Sequence, residues 1–450
     1  MMCMMDTAAL AIGGIVRGES VAFARVVTDS RAVQPGDLFV ALHGEHFDGH
    51  AYVQTACNAG AVAVMVDDEK TIGDCPAIVV DDTRLALGRL AAWWRQVLGT
   101  RIVAITGSSG KTTVKEMLAS IARSALGSEQ VLATQGNLNN DIGVPLTLLG
   151  LRAEHRIGVI EMGMNHAGEI DGLVRMADPD VVLINNAGSA HLGLLGSHEA
   201  VARAKGEIVA GAGEQAVVVL NGDDRFVGLW RELAQERQLL HFARFAEADI
   251  VGRAQTDIDG SYLQIATPTG EMSLRLSLPG EHNVMNALAA TAGAVALGLP
   301  LAAVRTGLSA MQAPKGRMQH KRALHGAWLL DDTYNANPES VRAAILTLAA
   351  RPGKRVLVLG DMGELGDAAE RAHREVGEFA RASGIDALLA IGSMSLQAVA
   401  AFGAQGQHFM DMDALVQAVQ PILAADVTVL VKGSRFMQME RVVAQIEEQG

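Results

Sequence analysis

Residues 106–113 read Thr-Gly-Ser-Ser-Gly-Lys-Thr-Thr and follow the apolar run RIVAIT at 101–106. A glycine-rich turn between a strand and a helix lets backbone N–H groups close around phosphate oxygens. The helix N-terminus adds partial positive charge at the same point. In that setting Gly107, Ser108, Ser109 and Gly110 form the cradle. Lys111 neutralises β/γ-phosphates, and the hydroxyl of Thr112, next to Thr113, reaches a Mg²⁺ ion. The motif departs from G-x-x-x-x-G-K-[ST], because Ile105 stands where the first glycine belongs. The loop is one step shorter, which points to a subclass of ATP-binding folds and away from a generic switch GTPase.

Three further residues could complete a charged site. Glu161 sits at the end of RIGVIEM (156–162), and ligands of parallel sheets gather at strand C-termini, where a carboxylate can hold Mg²⁺. His191, in NNAGSAHLG, follows the next strand; it is either an incidental loop residue or a member of the same rim. Lys205 lies in SHEAVARAKGEIVAGA, whose apolar helical face comprises Val201, Ile208, Val209 and Ala212. At 100° per residue Lys205 falls inside that stripe. An inward lysine is costly unless paired or modified. It snorkels outward, or points at phosphates, or carries a carbamate that adds a metal ligand.

The elements that must position these groups read as an α/β protein in three parts. VAFARVV, DLFVAL, AVAVMV and AIVV within 21–82 read as strands, with a helix over HAYVQTACNAG. RIVAIT, RIGVIEM, DVVLINN and AVVVL are near-continuous apolar runs, as parallel strands covered on both faces require. From Asp249 to Leu278 the pattern alternates, with Asp-Gly and Thr-Gly turns, which predicts antiparallel strands at one edge. Helices are expected over 283–297 and 301–309. The polar, basic stretch Gln312–Arg322 reads as a linker. WLLDD, RVLVLG, ALLAIG and VTVLVKG then make a Rossmann-like unit. The expected division is 1–84, a small α/β domain; 85–314, a central parallel-sheet ATP-binding domain with the phosphate loop; and 315–450, the C-terminal Rossmann-like domain.

Composition narrows the function. The chain has 450 residues, and 37 Lys+Arg against 50 Asp+Glu gives 37 − 50 = −13, which argues against a nucleic-acid binder. MMCMMD lacks a basic leader, and the uncharged-looking stretch Ala287–Val304 is Ala/Gly-rich and interrupted by Pro300. The expectation is a cytoplasmic protein with no membrane partner. Cys3, Cys57 and Cys75 are odd in number and unclustered, so neither a disulfide framework nor a zinc site is expected.

Taken together, the motifs resemble the Mur ligase family over nearly the whole chain. They are TDSR (28–31), GDLFVALHGEHFDGH (36–50), GSSGKTT (107–113), GNLNNDIGVPLTLL (136–149), EMGMNHAGEI (161–170), NGDD (221–224) and PGEHNVMNALAA (279–290). GRMQ (316–319), DDTYNANPESV (331–341), GDMGELG (360–366) and KGSRFMQME (432–440) complete the series. YNANP and GDMGELG resemble the member that adds D-alanyl-D-alanine. The resemblance implies an ATP-dependent amide ligase that joins D-Ala-D-Ala to UDP-N-acetylmuramoyl-tripeptide through an acyl phosphate, acting as a monomer. It implies that Thr112 and Glu161 bind one Mg²⁺, and that His191 with a carbamylated Lys205 binds a second. Asn283 and Asn286 would lie on the adenine side of ATP, Arg317 on the phosphates and Asp332 on the ribose. Ser30, Arg31, Glu45, His46, Phe47 and Asp48 would hold the uridine nucleotide, and Asn137, Asn139 and Asn140 the substrate side.

Overall fold

The apolar runs sort into three principal sheets in the computed structural model, which describes residues 2–44 and 47–448. Strands Arg25–Val27, Asp37–Val40, Ala63–Val66 and Ala77–Val79 pair in parallel, and Ile15–Arg17 closes that five-stranded sheet antiparallel to Ala77–Val79. Its helix Val53–Asn58 is preceded by a 3₁₀ turn, Gly49–Tyr52. One expectation is corrected here: Cys57 at the end of that helix and Cys75 before the last strand form a disulfide, with Cα atoms 5.8 Å apart. Packing the helix across the sheet brings together cysteines 18 residues apart, which their spacing alone does not reveal.

The central sheet has nine strands. Arg101–Thr106 lies between Ile157–Glu161 and Val181–Ile184, all parallel. Successive side chains point to opposite faces. Ile102, Ala104, Ile160, Val182 and Ile184 therefore join one core with helices Thr83–Leu98, Glu169–Ala177 and His198–Ala210. Val103, Ile105, Val159, Val181 and Leu183 join the other, with Lys111–Leu126, Glu281–Ala296 and Leu301–Ser309. Residues of the first unit, Met5, Phe23 and Leu38 among them, belong to the former core, so the two units share buried apolar surface. The alternating segment forms Ile250–Asp257, Gly260–Thr267 and Gly270–Leu276, antiparallel at the sheet edge as expected. Because the chain leaves Arg101–Thr106 toward one edge and later returns toward the other, strand order reverses there, and the loops above that reversal form a crevice.

The segment read as a linker is only partly one. Its last residues, Gln319–Arg322, form an edge strand antiparallel to Trp328–Asp332. An edge strand needs no apolar alternation, and Lys321 is held there by Asp331 at 3.1 Å and Glu447 at 3.0 Å. The remaining strands, Val427–Lys432, Lys354–Gly360, Ala387–Ile391 and Gly406–Phe409, are parallel in that spatial order, giving the expected Rossmann-like layer. Among the described residues no helix is long and apolar enough to cross a membrane.

Candidate active site

The phosphate loop is braced from the neighbouring strand end. Ser108 N donates to the Asn186 carbonyl at 3.0 Å, and Ser109 N to Asn186 Oδ1 at 2.9 Å. Asn185 Nδ2 donates to Ser109 O at 2.9 Å and to Asn286 Oδ1 at 3.0 Å. Asn286 in turn donates to Asn283 Oδ1 at 3.2 Å, and Asn283 to Pro279 O at 2.8 Å. Asn283 and Asn286 are thus buried beneath the loop in a chain of amides. Gly110 adopts φ +81°, and a Cβ there would run into Asn286 and Asn185, so no other residue fits without displacing the network. Lys111 folds back, its Nζ donating to Gly107 O at 2.6 Å. Burial pushes its amine below the usual lysine range; Glu161 opposes that shift and Arg317 adds to it.

Three segments converge on one hydroxyl. Thr112 Oγ1 donates to Glu161 Oε2 at 2.7 Å, while Arg317 Nη2 donates to Thr112 Oγ1 at 2.7 Å. Glu161 is buried, and its other oxygen accepts from Asn139 Nδ2 at 2.7 Å. The Arg317 guanidinium lies 4.2 Å from the Tyr334 ring centroid. Asn140 Oδ1 accepts from Gly143 N at 2.8 Å, and the carbonyl of exposed Asn137 accepts from Asn139 N at 2.7 Å.

His191 adopts φ +63° and Glu364 φ +62°, both unusual for residues with a Cβ. His191 Nδ1 lies 2.7 Å from Glu364 Oε2, and Gly193 N donates to the Glu364 carbonyl at 3.0 Å. The His191 contact holds the Glu364 carboxyl below the ordinary range against burial, with help from Lys111 and Lys205. Lys205 is fully buried, as its helical position predicted, and among the described residues its Nζ has no hydrogen-bond partner. Burial first, and Lys111 second, hold its amine well below the usual range.

The C-terminal unit makes further contacts that the sequence did not disclose. Asn337 Nδ2 donates to Ser109 Oγ at 3.1 Å, and Glu339 Oε1 accepts from Ser189 N at 3.0 Å. Asp332 accepts from Lys432 Nζ at 2.6 Å and from Met318 N at 3.1 Å. Asn337 and Glu364 lie in motifs quoted above, but only the tertiary fold brings them to the loop. Asn185 and Asn186 carry a weaker signal, two amides at a strand end next to a phosphate loop.

The proposed nucleotide residues of the first unit form a separate group. Arg31 and Asp29 pair at 2.7 Å on an exposed 3₁₀ turn that begins at Ser30, and Arg31 draws the Asp29 carboxyl down to about 2. Phe47 is exposed, and Asp48 accepts from His50 N at 2.9 Å. Glu45 and His46 lie outside the described residues. Among the described residues none of this group bonds to the phosphate-loop cluster.

Family models match along the chain in the order of its sheets. The Mur ligase family catalytic domain covers 23–95, the Mur ligase middle domain 105–294, and the Mur ligase glutamate ligase domain 316–435. The chain belongs to the Mur ligase family. The UDP-N-acetylmuramoyl-tripeptide–D-alanyl-D-alanine ligase of Escherichia coli (strain K12) is 44% identical over 443 residues, 98% of this chain and 97% of that protein. The crystal structure of MurF from Acinetobacter baumannii superposes with a TM-score of 0.90 at 37% identity, covering 98% of this chain and 97% of that one. MurF from Thermotoga maritima, solved in complex with ADP, gives a TM-score of 0.81 at 29% identity over 94% and 96%. This Mur ligase therefore keeps the three-domain α/β fold along its whole described length, as the motif resemblance implied.

Proposed function

We propose that this Mur ligase joins D-alanyl-D-alanine to UDP-N-acetylmuramoyl-tripeptide at the expense of ATP, giving UDP-N-acetylmuramoyl-pentapeptide, ADP and phosphate. That reaction is the last cytoplasmic step of peptidoglycan precursor synthesis. The carrying observation is the convergence of Arg317, Thr112 and Glu161 on one another at the phosphate loop. The near-full-length likeness to D-alanyl-D-alanine ligases supports the choice of substrates.

A carboxylate does not condense with an amine at neutral pH, because its leaving group is too poor. Phosphoryl transfer onto the tripeptide carboxylate gives an acyl phosphate, which the free amine of D-Ala-D-Ala attacks, and phosphate then leaves. Two anions must first approach closely. At 4 Å and an effective dielectric near 20, each unit-charge pair repels by about 4 kcal/mol. Lys111 and Arg317 offset that repulsion and orient the phosphates, while the loop amides not already bonded to Asn186 hold the oxygens in place. Thr112 Oγ1 and Glu161 Oε2 are hard oxygen donors 2.7 Å apart, a set suited to Mg²⁺. Mg²⁺ bound there, and a second ion at His191, would supply further neutralising charge.

Lys205 fits the role of a carbamate-bearing ligand for the second ion. Only a neutral amine attacks CO₂, forming the N–C bond with release of a proton, and burial favours the neutral form of this amine. Its Nζ has no hydrogen-bond partner among the described residues, so a carboxylate formed there would displace none. Ser30, Arg31, Phe47 and Asp48 are assigned to the uridine nucleotide, Asp332 to the ribose, and Asn137, Asn139 and Asn140 to the substrate side. The units are divided near residues 84 and 314, and the ligase is taken to act as a monomer. The test is an assay with ATP, Mg²⁺, the UDP-muramoyl-tripeptide and D-Ala-D-Ala. Pentapeptide and phosphate formed in equal amounts support the reading, and phosphate release without the dipeptide overturns it.

A further inference from the structure

We propose that Lys115 is a positioning residue for the ligase reaction: acting through Thr134 and Asn139, it fixes the carboxylate of Glu161 opposite Thr112. This rests on the reading of Thr112 and Glu161 as Mg²⁺ ligands. Lys115 lies three residues after Thr112 on the helix Lys111–Leu126, so the two side chains leave the same face of one rigid element. The Lys115 side chain is 1% exposed, and taking an ammonium out of water is costly unless its donors are matched. Its Nζ donates to Thr134 O at 2.7 Å and pairs with the carboxylate of Glu116. Val114, Met117 and Leu118 already supply the apolar packing of this helix, so the buried amine is better explained by the carbonyl it holds than by packing.

Thr134 is the junction between that helix and Glu161. It follows the edge strand Val131–Ala133 and is itself buried. Its N–H donates to Val159 O at 3.0 Å, its Oγ1 accepts from Glu161 N at 2.9 Å, and its carbonyl takes the Lys115 amine. Beyond Thr134 the chain turns through 135–140 and brings Asn139 back to Glu161. Asn139 Nδ2 donates to Glu161 Oε1 at 2.7 Å, and Asn139 O accepts from Gly163 N at 2.8 Å. Glu161 is thus held at its N–H by Thr134, at Oε1 by Asn139 and at Oε2 by Thr112. Lys115 anchors the segment that supplies the first two of these bonds.

The anchor matters because a glutamate carboxylate turns about its own torsions unless partners fix it. Groups that orient a metal-binding carboxylate affect metal affinity nearly as much as some ligands do. Thr112 and Lys115 reach Glu161 and Thr134 from one helix, so the phosphate loop and the Asn139 segment keep a set spacing. Without the Lys115 amine, Thr134 O loses that donor and the segment its tie to the helix.

The test reads Mn²⁺, a paramagnetic stand-in for Mg²⁺, bound to the full chain with ADP, by electron paramagnetic resonance. Lys115→Met should weaken Mn²⁺ binding about 10–100-fold, the usual effect of removing a group behind a metal ligand. Its affinity for ADP in chelator should match that of the unaltered chain, because the phosphate-loop amides are untouched. Asn139→Ala should also weaken Mn²⁺ binding, and the double variant should lose far less than the product of the single losses, since both release one carboxylate. Thr134→Val keeps the side-chain shape and removes the acceptor of Glu161 N–H, so it carries the test if Lys115→Met does not fold. It too should weaken Mn²⁺ binding without multiplying the loss in Asn139→Ala. No Mn²⁺ on the unaltered chain overturns the metal reading of Thr112 and Glu161, and this role of Lys115 with it. Unchanged Mn²⁺ affinity in Lys115→Met or in Thr134→Val overturns the role of Lys115 alone. So do losses that multiply, or an equal loss of ADP affinity in chelator.

Discussion

Arg317 Nη2 and Thr112 Oγ1, 205 residues apart in sequence, are joined by a hydrogen bond of 2.7 Å. The same threonine hydroxyl donates to Glu161, so the approach of the C-terminal unit and the arrangement of charge at the phosphate loop are one interaction. Because Arg317 belongs to the C-terminal unit, docking of that unit is what sets this cation beside Thr112, which suits a ligase that must exclude water before forming an acyl phosphate.

Removing that cation should therefore impair chemistry more than folding. Arg317→Ala should lower kcat/KM for ATP by about 10²–10³-fold, the usual cost of deleting one preorganised charge. Arg317→Lys should recover only part of the loss, since it keeps the charge but loses the planar fork and its stacking on Tyr334. Steady-state ADP formation checks both, and an unaltered kcat/KM in the alanine variant would contradict the role given to Arg317.

The amides beneath the loop should matter for stability. Asn286→Ala leaves Asn283 Oδ1 without its donor and removes the acceptor of Asn185 Nδ2 at a buried site. The expected cost is about 1–3 kcal/mol, read as a lower urea midpoint with an unchanged m-value. A shift below about 0.5 kcal/mol would mean that the network is dispensable.

These contrasts mark what was legible in the sequence. The phosphate loop and the inward direction of Lys205 follow from local spacing, and both could be read along a single strand–turn–helix or helix face. The antiparallel edge was legible for the same reason. The Asn185–Asn286 bond spans 101 residues and the His191–Glu364 contact joins separate units, so neither leaves a local pattern. Gln319–Arg322 was misread because an edge strand can be wholly polar. The Cys57–Cys75 bond was missed because the helix that brings the two together had to be packed first.

Glu364 predicts a pH dependence with a definite sign. Its carboxyl is held below the ordinary value of 4.5, chiefly by His191. A depressed folded-state value contributes stability that is complete above the unfolded value and is lost as pH falls through the folded one. Glu364→Gln should therefore be less stable than the unaltered chain at pH 7, and the gap should close below pH 4.5. Its side chain is half-exposed, so the gap should stay below about 1 kcal/mol. Urea titrations across that range test this, and a gap independent of pH would remove Glu364 as its source.

Lys205 sets stability against activity. Its folded-state value is depressed, so folding without modification disfavours the bound proton, at a cost that grows as pH falls below the ordinary lysine value of 10.5. In bicarbonate-free buffer at neutral pH, Lys205→Met should unfold at a higher temperature than the unaltered chain, because an apolar side chain suits that site better. The same variant should lose ligation by at least about 100-fold. In Lys205→Ala, which leaves space, high bicarbonate or a short carboxylic acid should partly restore turnover by placing a carboxylate where the carbamate stood. If Lys205→Ala ligates at the full rate, the carbamate has no part in the reaction. If Lys205→Met is the less stable protein, the buried amine has a partner that offsets its desolvation.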